Sequence, residues 1–206
     1  MNLQAIVIAI SAVLLAWYIA AHLYNRRRGR QLRSWLEARL AELGGEREAG
    51  WIGSPASGAR FNVRRADPPF RRLEVTLLLA NREIPLLWLV DYLRGKRDRI
   101  IIRATLRSPR RGEVWVTSSR RSDRRGENWT WQEGPHGLKI AFRGRNGRQL
   151  VTTLSPWLEA HGAHLDRFHW QKQDPHIILQ LIIAGHLETE AESFLTDLST
   201  ALQANS

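Results

Sequence analysis

The sequence predicts an α+β protein: one N-terminal transmembrane helix, then an antiparallel β-sheet covered by amphipathic helices in a two-layer domain. Three observations carry that prediction. Leu3 to Tyr24 is predominantly apolar, with no charge from Ala5 to Ala21, and runs into Asn25-Arg26-Arg27-Arg28-Gly29-Arg30. After it, a series of short runs alternates apolar and polar residues at period two between Gly, Pro, Asn and Ser turns. Three further stretches repeat at the helical period, with charges off the apolar stripe.

The opening run predicts a membrane anchor. At about 1.5 Å per residue it spans about 33 Å, against a hydrocarbon core of roughly 30 Å. From Ala5 to Ala21 its one small hydroxyl, Ser11, can be satisfied by the helix backbone, and Trp17, Tyr18 and Tyr24 gather towards the second end, where amphipathic rings favour headgroup depth. A cleaved signal peptide is the competing reading, but a basic n-region is missing from Met-Asn-Leu-Gln and no A-x-A step closes the run. Arg26, Arg27, Arg28 and Arg30 resist translocation, so the expected topology is single-pass in the cell membrane, N-terminus outside and everything after Tyr24 cytoplasmic. The chain then divides into an anchor with its basic stop, 1–30, and a cytoplasmic domain, 31–206.

Within the domain, Gln31 to Leu43 places Leu32, Trp35, Leu36, Leu40 and Leu43 on one helical stripe, ended by Gly44-Gly45. Strands are expected at Glu48 to Gly53, Ala59 to Arg65 and Phe70 to Ala80, with Ser54-Pro55-Ala56-Ser57-Gly58 and Asp67-Pro68-Pro69 as turns. Pro85 to Leu93 follows with Pro at its first turn and Gly95 past its end, yet Leu86, Leu87, Trp88, Leu89, Val90, Tyr92 and Leu93 leave it almost no polar face. Too short to span, it is expected as a core helix laid on the sheet. The alternative docks it in the membrane interface, with Trp88 and Tyr92 at headgroup depth and Arg94, Lys96, Arg97 and Arg99 on lipid phosphates.

Further strands are expected at Arg99 to Arg107, Gly112 to Ser118, Glu127 to Glu133 and Gly137 to Arg143, the last two as a hairpin around Gly134-Pro135-His136-Gly137. Asn146-Gly147 reads as a turn and Gln149 to His161 as a helix, with Pro156 marking either its true start, capped by Ser155, or a kink. His164 to Gln171 and the central His176 to Ala184 are strands, and Leu187 to Gln203 is an amphipathic helix. Trp35-Leu36-Glu37-Ala38 recurs as Trp157-Leu158-Glu159-Ala160, each opening a helix-strand-strand run. Two α-β-β halves, 31–147 and 148–206, are one reading of this echo; chance identity of four residues is the other.

Charge is uneven. Residues 1–30 carry four Arg and no acid, 31–126 carry 21 basic and 11 acidic side chains, and 127–206 carry six and nine. Of the 31 basic residues 28 are Arg, which fits phosphate recognition but also a chain-wide compositional bias. The loop from Ser119 to Gly126 concentrates Arg120, Arg121, Arg124 and Arg125. With no cysteine, disulfides, thiolate metal sites and cysteine nucleophiles are excluded.

The motifs of common chemistries are missing: there is no Walker loop, G-x-G-x-x-G, G-x-S-x-G or H-E-x-x-H. His161, His164, Asp166 and His169 form the one ligand-like cluster, but their spacing suits surface histidines at a helix end better than a zinc site. No cofactor is expected. Trp115, Trp129 and Trp131 at alternate positions among arginines would suit base stacking, although Trp129 and Trp131 read better as core. The expected function is a non-enzymatic membrane adaptor or accessory subunit. Its lipid- or partner-contacting residues would be Arg26, Arg27, Arg28, Arg30, Trp88, Arg94, Lys96, Arg97, Arg120, Arg121, Arg124 and Arg125. The expected partners are the bilayer, a membrane protein and anionic headgroups, with a tethered nucleic-acid-binding domain second and a metal-dependent enzyme third.

Overall fold

One antiparallel sheet collects the nine strands described, and the seven between its two edge strands turn alternate apolar side chains to the same face. The computed structural model describes residues 2–108, 111–118, 128–183 and 193–203. The strands are β1 (Glu46–Trp51), β2 (Gly58–Arg64), β3 (Phe70–Leu78), β4 (Asp98–Leu106), β5 (Glu113–Ser118), β6 (Thr130–Glu133), β7 (Leu138–Arg143), β8 (Leu165–Trp170) and β9 (Ile177–Ile183). They lie in the order β1-β2-β3-β4-β9-β8-β5-β7-β6. The register brings Phe61, Val75, Ile102, Leu179, Phe168, Val116 and Ile140 into one cross-strand row, all buried. Such rows form the floor of a single core.

Helices close that face. The first, α1 (Leu3–Ala41), is continuous over 39 residues, about 58 Å. Its buried positions, Ala21, Asn25, Gly29, Leu32, Leu36 and Leu40, recur at steps of three or four along one side. Each buried leucine contributes about 2 kcal/mol of transfer free energy. Gly29 is where the helix meets the β1–β2 turn: a Cβ there would stand 1.9 Å from the Pro55 carbonyl oxygen. The second helix, α2, spans Pro85–Leu93. The third, α3 (Gly144–His161), and the fourth, α4 (Phe194–Gln203), pack on each other, and Trp157 Nε1 donates to the Phe194 carbonyl at 3.0 Å. Thr196 Oγ1 donates to Glu42 Oε2 at 3.3 Å, so α4 bridges α3 to the end of α1.

The α+β class and the strand series hold, with boundaries moved by one to three residues. The expected first turns of the last helix, 187–192, lie outside the described residues. Four expectations change. First, no residue of α2 is buried, so it is not a core helix. It projects beside the part of α1 that leaves the domain, where the sheet no longer offers a surface to cover it. Second, Trp131 is 39% exposed: β6 is the outermost strand, all four of its residues are exposed, and the helices cover β5 and β7 instead. Third, α3 begins at Gly144 and absorbs the expected Asn146-Gly147 turn. Gly147 there packs against the Glu113 carbonyl and Phe142, so tertiary contact overrides its turn preference. Fourth, Pro156 lies inside the helix, and Ser155 Oγ bonds back to the Val151 carbonyl at 3.0 Å instead of capping. The tetrads Trp35 to Ala38 and Trp157 to Ala160 fall on α1 and α3, with Leu36 and Leu158 both buried.

Candidate functional site

The most elaborated contact among the described residues is where α1 leaves the sheet. Ala80, just past β3, has to turn the backbone away from its neighbour strand, and its N–H and C=O lose their ladder partners. Asp98, the first residue of β4, accepts the Ala80 N–H at 2.8 Å, and Asn25 of α1 donates to the Ala80 carbonyl at 3.0 Å. Arg82 then joins the two side chains. Its Nη1 and Nη2 fork onto Asp98 Oδ1 and Oδ2 at 2.9 and 3.0 Å, and Nη1 also donates to Asn25 Oδ1 at 2.9 Å. Asp98 is 3% exposed and Arg82 is half-buried, so the carboxylate is held out of water and the bidentate geometry supplies the compensation that its burial demands.

The contacts continue up α1 past the domain. The Tyr24 ring lies under the Arg82 guanidinium at 5.3 Å, His22 Nδ1 is 2.9 Å from Glu83 Oε1, and Trp17 Nε1 donates to the Arg82 carbonyl at 2.9 Å. Trp17 also packs against Trp88 of α2, centroids 5.5 Å apart, and Trp88 against Tyr92 at the same distance. Hence α2 lies alongside residues of the apolar run of α1. That run is the one candidate among the described residues that is long and apolar enough to cross a membrane, by length and composition.

Of the residues expected to contact lipid or a partner, Arg26, Arg27 and Arg30 are exposed on α1 and Arg28 is half-buried. Beyond α2, Arg94 and Lys96 are near neighbours in sequence; Arg94 is exposed, and Lys96 pairs with Asp91 at 2.7 Å. Arg97 sits over the Tyr92 ring at 3.8 Å and donates to the Tyr92 carbonyl. Trp88, Lys96 and Arg97 are thus held by contacts within and just past α2, and Arg26, Arg27 and Arg30 lie exposed on α1, interleaved in sequence with the buried Asn25 and Gly29. Arg120, Arg121, Arg124 and Arg125 lie outside the described residues.

The histidine cluster is dispersed. His161, at the end of α3, is buried between Trp157 and Phe194, and its Nε2 donates to Asp197 Oδ2 of α4 at 2.9 Å. Ser193 Oγ donates to the same oxygen at 2.6 Å. Burial works to raise the Asp197 carboxyl, but the hydrogen bonds from Ser193 and His161 and the His161 charge outweigh it and hold the group below its ordinary value. His164 closes a short 3-10 turn, Asp166 is buried in β8, and His169 lies on the other sheet face, its ring edge-on to Trp115 at 4.8 Å. Among the described residues no three His, Cys, Asp or Glu are grouped to hold a metal ion. Trp115 itself is 4% exposed, unlike a stacking platform.

Sequence reasoning does not find Asn25, Arg82 or Asp98. A lone Asn after an apolar run and a lone Arg in a loop carry no spacing signal, and only the fold brings residues 57 positions apart into contact.

The face of the sheet away from the helices is cationic around β2–β4. Arg60, Arg64, Arg72 and Arg103 are exposed there, with Glu74 between Arg60 and Arg103 at 3.6 and 3.5 Å and Ile101, Ile178 and Ile182 half-buried beside them. No protein-family model matches the chain, and no curated protein does.

Proposed function

We propose that this chain is a non-enzymatic, membrane-anchored adaptor or accessory subunit. In this reading α1 spans the cell membrane once, N-terminus outside, and holds a cytoplasmic sheet domain against the inner leaflet, where its basic end meets anionic lipid or an acidic partner. The observation that carries the reading is the unbroken passage of α1 from its apolar run into the core, fastened by Asn25, Arg82 and Asp98. A flexible tether would leave the domain free to tumble; a continuous helix fixes its distance and orientation relative to the bilayer, which suits a subunit that must meet a membrane partner in one pose. The bonds of Trp17, His22 and Asn25 to the domain also favour a retained anchor over a cleaved leader, since cleavage after Asn25 would strip them away. An α-β-β duplication is part of the same proposal and is supported by the two tetrads alone.

Two measurements test this. A reporter fused after Ser206 should behave as cytoplasmic, and protease added to intact cells should spare the domain; external cleavage would reverse the topology. Purification in mild detergent with the anchor intact should yield a stoichiometric membrane protein partner. Co-purifying nucleic acid, competed by oligonucleotides and weakened by salt, would instead favour the tethered nucleic-acid binder.

A further inference from the structure

A nine-residue helix with apolar side chains on every side and no buried residue needs a second solvent or a partner. Five of its side chains are large, apolar and exposed: Leu86 (76%), Leu87, Leu89, Val90 and Leu93 (75%). We infer that α2 is a second membrane element, inserted flat into the lipid of the leaflet from which α1 enters the domain. This rests on the anchor reading above and deepens it, because it names lipid acyl chains as what covers α2.

The position of α2 along α1 points to that occupant. Trp88 touches Trp17, which lies seven residues before Tyr24, the end of the apolar run, or about 10 Å along the helix axis. Helices that lie in the interface bury their apolar face roughly 5–10 Å into the headgroup and acyl boundary. If α1 spans the bilayer, α2 is carried to that depth by its contact with Trp17, without any further movement. At about 14 Å long it cannot span, so it must lie along the surface.

The chemistry of the segment suits this placement. Pro85 brings no N–H to the first turn, which removes one of the donors a helix start would leave bare to lipid, and the Trp88 N–H donates to the Ile84 carbonyl at 2.8 Å. Two of the ion pairs near the interface are Arg82 with Asp98 and Asp91 with Lys96, and Glu83 Oε1 lies 2.9 Å from His22 Nδ1. Trp17, Trp88 and Tyr92 form a contiguous aromatic cluster of the kind favoured at headgroup depth. Arg94 follows the helix and is exposed, where a phosphate of anionic lipid would meet it.

The chain has no cysteine, so single-cysteine labelling tests the inference in the full-length protein. Leu86→Cys, Leu93→Cys, Val13→Cys and Arg60→Cys, each at an exposed position, would carry an environment-sensitive fluorophore in phosphatidylcholine–phosphatidylglycerol nanodiscs. We expect lipids with a nitroxide on the acyl chain to quench positions 86, 93 and 13 several-fold more than position 60, while aqueous iodide quenches position 60 alone. Quenching at 13 without quenching at 86 and 93 would overturn the inference and leave the anchor standing. Labels at 86 and 93 shielded from both quenchers would overturn it in favour of a second copy or another protein on α2. No quenching at 13 would overturn the anchor and the inference together.

Discussion

Arg82 and Asp98 face each other as a bidentate pair at the exit of α1 from the sheet, Nη1 to Oδ1 at 2.9 Å and Nη2 to Oδ2 at 3.0 Å. Because Asn25 shares both the guanidinium and the Ala80 carbonyl, the pair joins the helix to two strand ends at once. Replacing Arg82 by Gln leaves a buried carboxylate without its counter-charge, which should cost about 3 kcal/mol in chemical unfolding. The double change Arg82→Met with Asp98→Asn should recover a large part of that loss, since the side-chain carbonyl of the introduced amide can still accept the Ala80 N–H. A double variant no better than the single would mean that the charge pair is not what the site depends on.

Gly29 fixes how closely α1 approaches the sheet. With the Pro55 carbonyl oxygen 1.9 Å from where a Cβ would sit, Gly29→Ala must push helix and turn apart, at about 2 kcal/mol or more. Gly50 on β1 has open space around it, so Gly50→Ala should be neutral or stabilise by about 0.5 kcal/mol. Equal thermal stabilities for the two variants would contradict the close approach.

How much of this is legible in the sequence follows from the range of each interaction. Leu32, Leu36 and Leu40 announce themselves by spacing because a helix repeats locally, and most of the strands do so because their outward residues are polar or charged. The residues of the junction act across 16 to 57 positions and have no local period. Composition alone could not place α2 either: a helix apolar on every side is the same string whether it is buried in the core or exposed beside Trp17, as the fold has it. Trp131 departs from expectation for a related reason, since alternation does not reveal that β6 is an edge strand.

The pair His161 and Asp197 predicts an acid-sensitive contact between α3 and α4. The Asp197 carboxyl is held below its ordinary value of 3.8, so its stabilisation is fully present above that pH and is lost as the pH falls through the lower, folded-state value. Asp197→Ala should cost about 1 kcal/mol at neutral pH, at the modest end because the carboxylate is half-exposed. The difference from wild type should narrow on acidification. A chelator should leave both proteins unchanged, and a gap that stays constant into strong acid would sink the assignment.

Removing the apolar run separates the two parts that touch lipid in this reading. A chain lacking residues 2–20 keeps Ala21, Asn25, Gly29 and the leucines of α1, and so should retain the unfolding transition of the sheet domain. Removing 2–30 takes away Asn25 and Gly29 as well, with the Asn25 bonds to the Ala80 carbonyl and to Arg82 and the leading turns of the packed helix, and should lower stability by about 2 kcal/mol or more. The shorter truncation exposes α2 with nothing beside it, so the folded domain should still sediment with vesicles containing phosphatidylglycerol. Adding Leu86→Glu and Leu93→Glu should weaken that binding by about tenfold or more, because two leucines then no longer leave water, while the unfolding transition stays in place because neither side chain is part of the core. If the domain lacking 2–20 stays in solution beside such vesicles, α2 has no affinity of its own for lipid, and only its fixed place next to Trp17 would bring it to the membrane.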